Sequence, residues 1–322
     1  MTQPSPEKVV VVVVAFNRRE LLLECLTALA GQTRPPDDIL VLDNASTDGT
    51  AEAVRSGHPD VTLVELDRNT GGAGGFTAGL AEAVGPLGAD LVWLMDDDTV
   101  PTETALAQLL AARAHAPASA RIFASAVQWI DGRDHPMNMP RVRPFASPAS
   151  LAQAAAFDCY PVRSVSFVSV MIDARAVREH GLPVAAYFLW NDDFEYTARI
   201  LRRSTGYLCR QSVVVHKTKV FGSTNIDPGA RFKLEVRNKL WLLRLSPALS
   251  YPERLLYSAA TIRRWLVTFV HSTDRATLRQ GLWQGLREGF GSRPAANSEV
   301  LAGFGSVSAA VALAETIPAG AV

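Results

Sequence analysis

The chain has 322 residues, 48% of them hydrophobic and 20% charged, with a formal net charge of zero. That size allows one large α/β domain or two smaller ones, with the composition of a soluble globular protein. Its three cysteines, Cys25, Cys159 and Cys209, are odd in number and lack CxxC spacing, which excludes a disulfide framework and a cysteine zinc site and points to a reducing cytosolic compartment. The apolar run Val9 to Phe16 is short and leads into Asn17-Arg18-Arg19, so it is no signal peptide. Nothing reaches the roughly 18–20 apolar residues needed to span a bilayer. The nearest stretch, Leu255 to Val270, is interrupted by Arg263 and Arg264.

Charge is unevenly placed. Residues 1–100 hold 16 acidic against 6 basic side chains, a net of −10, and residues 231–290 hold 11 basic against 4 acidic, a net of +7. An acidic first third suits cation binding. The basic segment suits phosphates, an anionic membrane face, or simply a solvated helical surface.

Val9 to Val14 is a run of six valines. Such β-branched density predicts a strand buried on both faces, as in a parallel sheet. Arg19 to Ala30 follows as a helix with Leu22, Leu26 and Leu29 on one face and Gly31 at its end. Asp38 to Leu42 is a second strand, ending at Asp43-Asn44. Thr50 to Arg55 reads as a helix and Val61 to Leu66 as a third strand. This βαβαβ opening, with polar residues at the carboxyl end of each strand, has the topology of a nucleotide-binding half-sheet.

Asn69 to Phe76 carries Gly71, Gly72, Gly74 and Gly75. They predict a turn where backbone approaches a ligand or tightens into a helix over Thr77 to Val84. The spacing departs from GxGxxG at Thr77, and no GK[ST] is present, so there is no Walker loop and no clean dinucleotide fingerprint. The strand Asp90 to Met95 then runs into Asp96-Asp97-Asp98. Adjacent carboxylates at a sheet's carboxyl edge repel and need a counter-charge, which a divalent cation supplies. A solvated turn, or the N-cap of a helix opening at Thr99-Val100-Pro101, is the other reading.

Thr102 to Ala114 reads as a helix and Arg121 to Ile130 as a strand. Asp131 to Ser150, without period, is a loop over the sheet face. Val165 to Ile172 is a strand and Ala174 to His180 a short helix. A second acidic cluster, Trp190-Asn191-Asp192-Asp193, opens a helix running to Arg203; alone it is equally an N-cap. Val213 to Val215 is a short strand ending at His216. Helices follow at Phe232 to Leu245, Tyr251 to Val270 and Arg275 to Phe290. From Gly291 the chain is rich in Ala, Gly, Ser and Pro, with weak pattern.

Together these motifs resemble family 2 glycosyltransferases of the GT-A fold, over about residues 9–245. The pieces are Ala15-Phe16-Asn17-Arg18, the loop Asp43 to Thr50, Asn69-Thr70-Gly71-Gly72, the three aspartates, Asp192-Asp193 and His216. Within the family, Asn69 to Phe76, Leu94-Met95-Asp96-Asp97-Asp98, Trp190 to Tyr196 and Arg237-Asn238 are similar to motifs of bacterial cell-wall galactofuranosyltransferases. Rhamnosyltransferase-like members come next. Asn191 is inserted where Trp usually precedes the acids.

The resemblance implies an α/β fold of GT-A type: a single nucleotide-binding α/β domain with a mostly parallel central sheet over residues 1–225, a basic helical extension over 226–290 and a low-complexity tail over 291–322. It implies inverting transfer, with galactofuranose from UDP-galactofuranose as the expected donor sugar, or rhamnose or another hexose in a related member. The acceptor would be a glycan or a polyprenyl-diphosphate-linked glycan. Asp98 and His216, with Asp96, would hold Mn²⁺ or Mg²⁺. Phe16, Arg18, Asp43, Asn69, Asp96 and Asp97 would bind the nucleotide sugar. Asp193 would be the general base, kept ionised by its helix N-terminus, with Asp192 positioning the acceptor. The basic helices after residue 231 suit an anionic bilayer face, and with a lipid-linked acceptor they lead to the expectation of a cytoplasmic protein that docks peripherally on the membrane, with no nucleic-acid partner. A nucleotidyltransferase would need a basic Gly-rich loop by the first strand, which Ala15 to Arg19 does not provide. A non-catalytic nucleotide-sugar-binding protein would not need the acids and His216 intact together.

Overall fold

The six valines set the centre of the molecule. In the computed structural model, which describes residues 7–222 and 227–316, they form β1 (Val9–Ala15), whose every residue is buried. Parallel pairing with β2 (Asp38–Asp43) on one side and β4 (Leu91–Asp96) on the other satisfies its backbone. The period of two sends Val10, Val12 and Val14 into one apolar layer and Val9, Val11 and Val13 into the other. Each fully buried valine contributes about 1.5–3 kcal/mol of transfer free energy. The second layer is closed by α1 (Arg19–Ala30) through Leu22, Leu26 and Leu29 and by α2 (Thr50–Gly57) through Val54. The strand β3 (Thr62–Glu65) extends the parallel half beyond β2.

The first layer is closed by α3 (Gly71–Val84). The helix opens earlier than the expected Thr77: it starts at Gly71, which keeps a turn conformation at φ +72°, and takes in Gly72, Gly74 and Gly75. Gly75, and Gly79 one turn further on, let the helix lie on the valine strand, because a Cβ there would come within 2.5 and 2.3 Å of Val14 and Val12. Helix period and close approach to the valine strand outweigh the poor helix propensity of Gly.

Past β4 come β5 (Thr99–Pro101), α4 (Ala105–His115) and β6 (Ala120–Gln128). The segment expected to be a patternless loop instead contains a two-residue strand, β7 (Arg141–Val142), and α5 (Pro148–Ala155), capped by the Ser147 hydroxyl. Of the strand expected over Val165 to Ile172 only the second half is strand, as β9 (Ser169–Asp173), and a strand that was not expected, β8 (Cys159–Ser164), precedes it. At the break, the Thr197 hydroxyl bonds both the N–H and the carbonyl of Val165, replacing a ladder partner. After α6 (Ala174–His180) and α7 (Asp192–Ile200), the short strand expected at Val213 is the end of β10 (Thr205–His216). Exposed Arg210 and Gln211 interrupt the apolar pattern of β10, and the register shifts between Cys209 and Val213. The sheet order is β3-β2-β1-β4-β9-β6-β10-β8-β7, with β5 also on β10.

The expected 225/226 boundary lies outside the described residues; after it α8 (Phe232–Leu245), α9 (Tyr251–His271) and α10 (Arg275–Gly291) share an apolar cluster around Phe232, Val236 and Leu278. The stretch expected to be a weakly patterned tail forms α11 (Asn297–Val300) and α12 (Ser306–Thr316). Val307, Ala310 and Val311 are buried in the same layer as Val10 and Val12. Arg68 fastens this segment, donating to the carbonyls of Val300 and Ala302 and lying 4.1 Å over the Phe304 ring.

Candidate active site

The parallel strands end together. In register, Ala15 stands beside Asp43 and Val14 beside Asp96, so the polar ends of β1, β2 and β4 form one carboxyl edge. From β4 the chain turns through Asp97 and Asp98 into β5, which pairs antiparallel with β10 and sets His216 opposite Thr99. The Lys217 N–H donates to the Asp98 carbonyl at 2.8 Å. This pairing brings a histidine from 118 positions downstream of Asp98 to 3.1 Å between its Nε2 and Asp98 Oδ1. Asp96, Asp98 and His216 offer ligand atoms that all lie within 4.8 Å of one another. Asp98 Oδ1 is buried and makes no aligned hydrogen bond; its contact with His216 is one of charge and proximity. A buried carboxylate oxygen and an imidazole nitrogen this close, beside a second carboxylate, fit a divalent cation with mixed O and N ligands.

The electrostatics agree. Burial, reinforced by the Asp98 charge, pushes Asp96 up to about 7. Burial pushes Asp97 up to about 6, against Arg18 and the Phe16 N–H. Burial also works to raise Asp98, but His216 and Arg18 prevail and hold it below the ordinary carboxylate range. The acids are thus short of positive charge even with Arg18 present.

Arg18 Nη1 donates to Asp97 Oδ1 at 3.0 Å and Asp98 Oδ2 at 2.6 Å, and the Phe16 N–H donates to Asp97 Oδ2 at 2.9 Å. Both oxygens of Asp97 therefore tie the acids to the end of β1. His216 Nδ1 lies 2.8 Å from Asn138 Oδ1, and Asn138 Nδ2 lies 3.3 Å from Ser166 Oγ. An Nδ1–H donated to Asn138 leaves the Nε2 lone pair facing the aspartates. Asn138 had no signal in the sequence, since it sits in the patternless 131–150 segment. Asn138→Ala weakens Mn²⁺ affinity by about 10–100-fold, the usual cost of losing such a support. Mn²⁺ titration read by electron paramagnetic resonance checks this, and unchanged affinity contradicts it.

At the other end of the edge, Asp43 Oδ1 accepts the Ser46 N–H at 2.9 Å. Asn44 Oδ1 accepts the Thr70 N–H at 2.8 Å, and its Nδ2 donates to the Gly71 carbonyl at 2.9 Å. Asn69 Oδ1 accepts the Gly71 N–H at 2.7 Å. Phe16, the residue after β1 at this edge, is 40% exposed.

The second acidic cluster is carried by a strained segment. Phe188, Trp190 and Asn191 have φ of 65, 67 and 68°, a region costly for side-chain-bearing residues. Asn238 Nδ2 donates to the carbonyls of Tyr187, Leu189 and Trp190 at 2.9, 2.8 and 3.0 Å. Arg237 donates to those of Ala186 and Tyr187, and Asn191 Nδ2 to Glu235. On the other side the Phe188 carbonyl accepts the Ala73 N–H at 3.2 Å. Gly71, at φ +72°, leaves it room: a Cβ there would lie 2.0 Å from that oxygen. The Arg237-Asn238 pair is thus a clamp on the backbone that delivers Asp192 and Asp193 to the start of α7.

Asp192 is buried, and burial, with the neighbouring Asp193, raises it well above the ordinary range. The Asp96 charge adds to that rise. Asp193 feels Lys239 and Arg141 instead. The helix N-terminus was expected to keep Asp193 readily ionised. Burial wins, and the group is raised despite the Phe194 N–H at 2.6 Å and the Lys239 charge. Lys239, buried in α8, is itself lowered to about 8 by burial and Arg141. Lys239 and Arg141 both lie over the Phe194 ring, at 5.3 and 5.5 Å. Neither cation stood out in the sequence, because each is a lone basic residue until the fold assembles them.

The sequence pattern of the family described as Glycosyl transferase family 2 matches residues 10–167. The chain is 32% identical over 200 residues to the galactofuranosyltransferase GlfT1 of Mycolicibacterium smegmatis, covering 61% of this chain and 66% of that relative, just under two thirds of its length. It is 29% identical over 252 residues to GlfT1 of Mycobacterium tuberculosis, covering 74% of this chain and 82% of the relative. Among solved structures, S. aureus TarS 1–349 in complex with UDP-GlcNAc superposes with a TM-score of 0.60 at 14% identity, over 95% of this chain and 89% of that one. The fold is that of the GT-A glycosyltransferases.

Proposed function

We propose that this chain, a member of glycosyl transferase family 2 through its residues 10–167, transfers galactofuranose from UDP-galactofuranose to a hydroxyl of a glycan acceptor, with inversion. The observation that carries this reading is the convergence of Asp96, Asp98 and His216 within 4.8 Å, with Asp98 Oδ1 left unbonded. The identity to the two mycobacterial galactofuranosyltransferases supports the donor sugar.

Asp98, His216 and Asp96 would hold Mn²⁺ or Mg²⁺, which when bound supplies Lewis-acid stabilisation to a diphosphate leaving group. The Phe16 ring offers a face to the uracil, with Asp43 and Asn69 at the same sheet edge. Arg18 and Asp97 hold the end of β1 against the acids, so that the two parts of the donor site keep one geometry. Asp193 takes the proton from the attacking acceptor hydroxyl. Its raised pKa makes it a stronger base than an exposed carboxylate, at the cost of losing activity when the pH falls through that pKa. Asp192 orients the reacting sugar. A lipid-diphosphate anchor on the acceptor fits the cations Lys239 and Arg141 beside Asp193.

Purified protein supplied with Mn²⁺ releases UDP from UDP-galactofuranose with a higher kcat/KM than from UDP-glucose or dTDP from dTDP-rhamnose. A preference for dTDP-rhamnose replaces the sugar while keeping the reaction. No nucleotide release from any of the three sinks the enzymatic reading.

A further inference from the structure

The helix α9 is 21 residues long and buries one of them, Thr261. Its inner side is held by Trp265 and Phe269 against Phe232, with ring centroids 6.0 and 5.8 Å apart, and by Tyr257 against Phe194 at 5.2 Å. Its outer side is bare hydrocarbon: Leu255, Leu256, Ile262, Leu266 and Val270 are 56–72% exposed. At 100° per residue these positions fan over roughly a third of the helix circumference and run most of its length of about 30 Å. An exposed apolar face of that extent marks a contact surface. Arg263 lies within the same arc, and α10 adds Trp283, 72% exposed, with Arg279 and Arg287 one turn to either side. Among the described residues, Arg263, Arg279 and Arg287 have no carboxylate partner.

We propose that this face of α9, with the Arg279-Trp283-Arg287 stripe of α10, docks on an anionic lipid bilayer. Leucines would enter the acyl boundary and the arginines would meet headgroup phosphates. Apolar residues flanked by unpaired arginines and an exposed tryptophan match the chemistry of that boundary. A second copy of the chain is a poorer occupant, because a two-fold contact through this face would bring Arg263 towards its own mate. No described helix is long and apolar enough to cross a membrane, so α9 lies on the surface. On the reading that Asp193 faces the acceptor, Tyr257 against Phe194 puts the acceptor side of the site one helix thickness, about 10–12 Å, from the lipid.

The test is flotation of the full chain with vesicles of phosphatidylcholine containing phosphatidylglycerol, against phosphatidylcholine alone, without donor or acceptor. The wild type floats with the anionic vesicles, and less so at high salt. Leu255→Glu/Leu266→Glu/Val270→Glu stays in the soluble fraction. Arg263→Glu/Arg279→Glu/Arg287→Glu, which leaves the apolar arc intact, lowers partition by on the order of a hundredfold, at about 1 kcal/mol per arginine near the surface. Both variants keep wild-type circular dichroism and UDP release from donor in solution. Wild type that fails to float, or either variant floating like wild type, overturns the proposal. So does a wild-type dimer in light scattering that the leucine variant dissolves, since a second copy then covers the face. Donor turnover without flotation removes only the docking surface, and flotation without donor turnover removes only the enzymatic reading.

Discussion

Asp193→Asn lowers kcat for sugar transfer by about 10²–10⁴-fold, the usual worth of a positioned general base, and leaves UDP affinity near wild type. The substitution keeps the shape of the side chain and removes its capacity to take a proton. Asp193 suits the base role because it sits at the first turn of α7, where the Lys239 and Arg141 charges act on it. Burial raises Asp193, so the acid limb of the wild-type kcat profile lies above the ordinary carboxylate value of about 3.9. Activity is full above the raised pKa and is lost as the pH falls through it. Steady-state kinetics across pH, on wild type, Asp193→Asn and Asp192→Asn, checks both statements. A kcat close to wild type in Asp193→Asn, with a large loss in Asp192→Asn, moves the base to Asp192.

Asn238→Leu, close in volume, has the largest expected effect on stability. It removes the donor shared by the Tyr187, Leu189 and Trp190 carbonyls. Arg237 still serves Tyr187, so two carbonyls are stranded, at about 1–3 kcal/mol for each buried unpaired group. The segment they belong to holds Phe188, Trp190 and Asn191 at positive φ, a conformation that persists only while its surroundings enforce it. The result is a Tm lower by on the order of 5–10 °C. Amide exchange over residues 186–193 becomes faster, and transfer slows because Asp192 and Asp193 lose their setting. Thermal unfolding and hydrogen exchange read this directly; an unchanged Tm with unchanged exchange would show that α8 does not clamp the loop.

What was legible in the sequence divides along physical lines. Val9 to Val14 announced the central strand, because an unbroken β-branched run suits a strand buried on both faces. The three aspartates announced a carboxyl edge because they directly follow the apolar run Leu91 to Met95. Helices α1 and α6 and the starts and lengths of α8 to α10 followed from apolar spacing. The Gly71 to Gly75 segment misled, since small residues that let a helix lie on a valine strand are the same residues that make turns. The bend in β10 hid its first half behind Arg210 and Gln211. Within the residues from Gly291 on, alanine and valine bury too little each to advertise a packed helix, yet α12 closes a layer of the core. At the site, motif residues were visible one by one, while the groups that hold them were not. Asn44 and Asn138 act through partners 26 to 78 positions away, and Asn238, visible as part of a motif, holds carbonyls 48 to 51 positions back; single-chain periodicity carries no trace of such pairs.

The most direct measurement of the central claim is the rate of UDP release from UDP-galactofuranose in Mn²⁺, repeated after chelation with EDTA and in Asp98→Ala. The geometry of Asp96, Asp98 and His216 predicts release in Mn²⁺ that is lost on chelation, restored by added metal and absent in the variant. A full rate in EDTA, or an Asp98→Ala enzyme as fast as wild type, would contradict it.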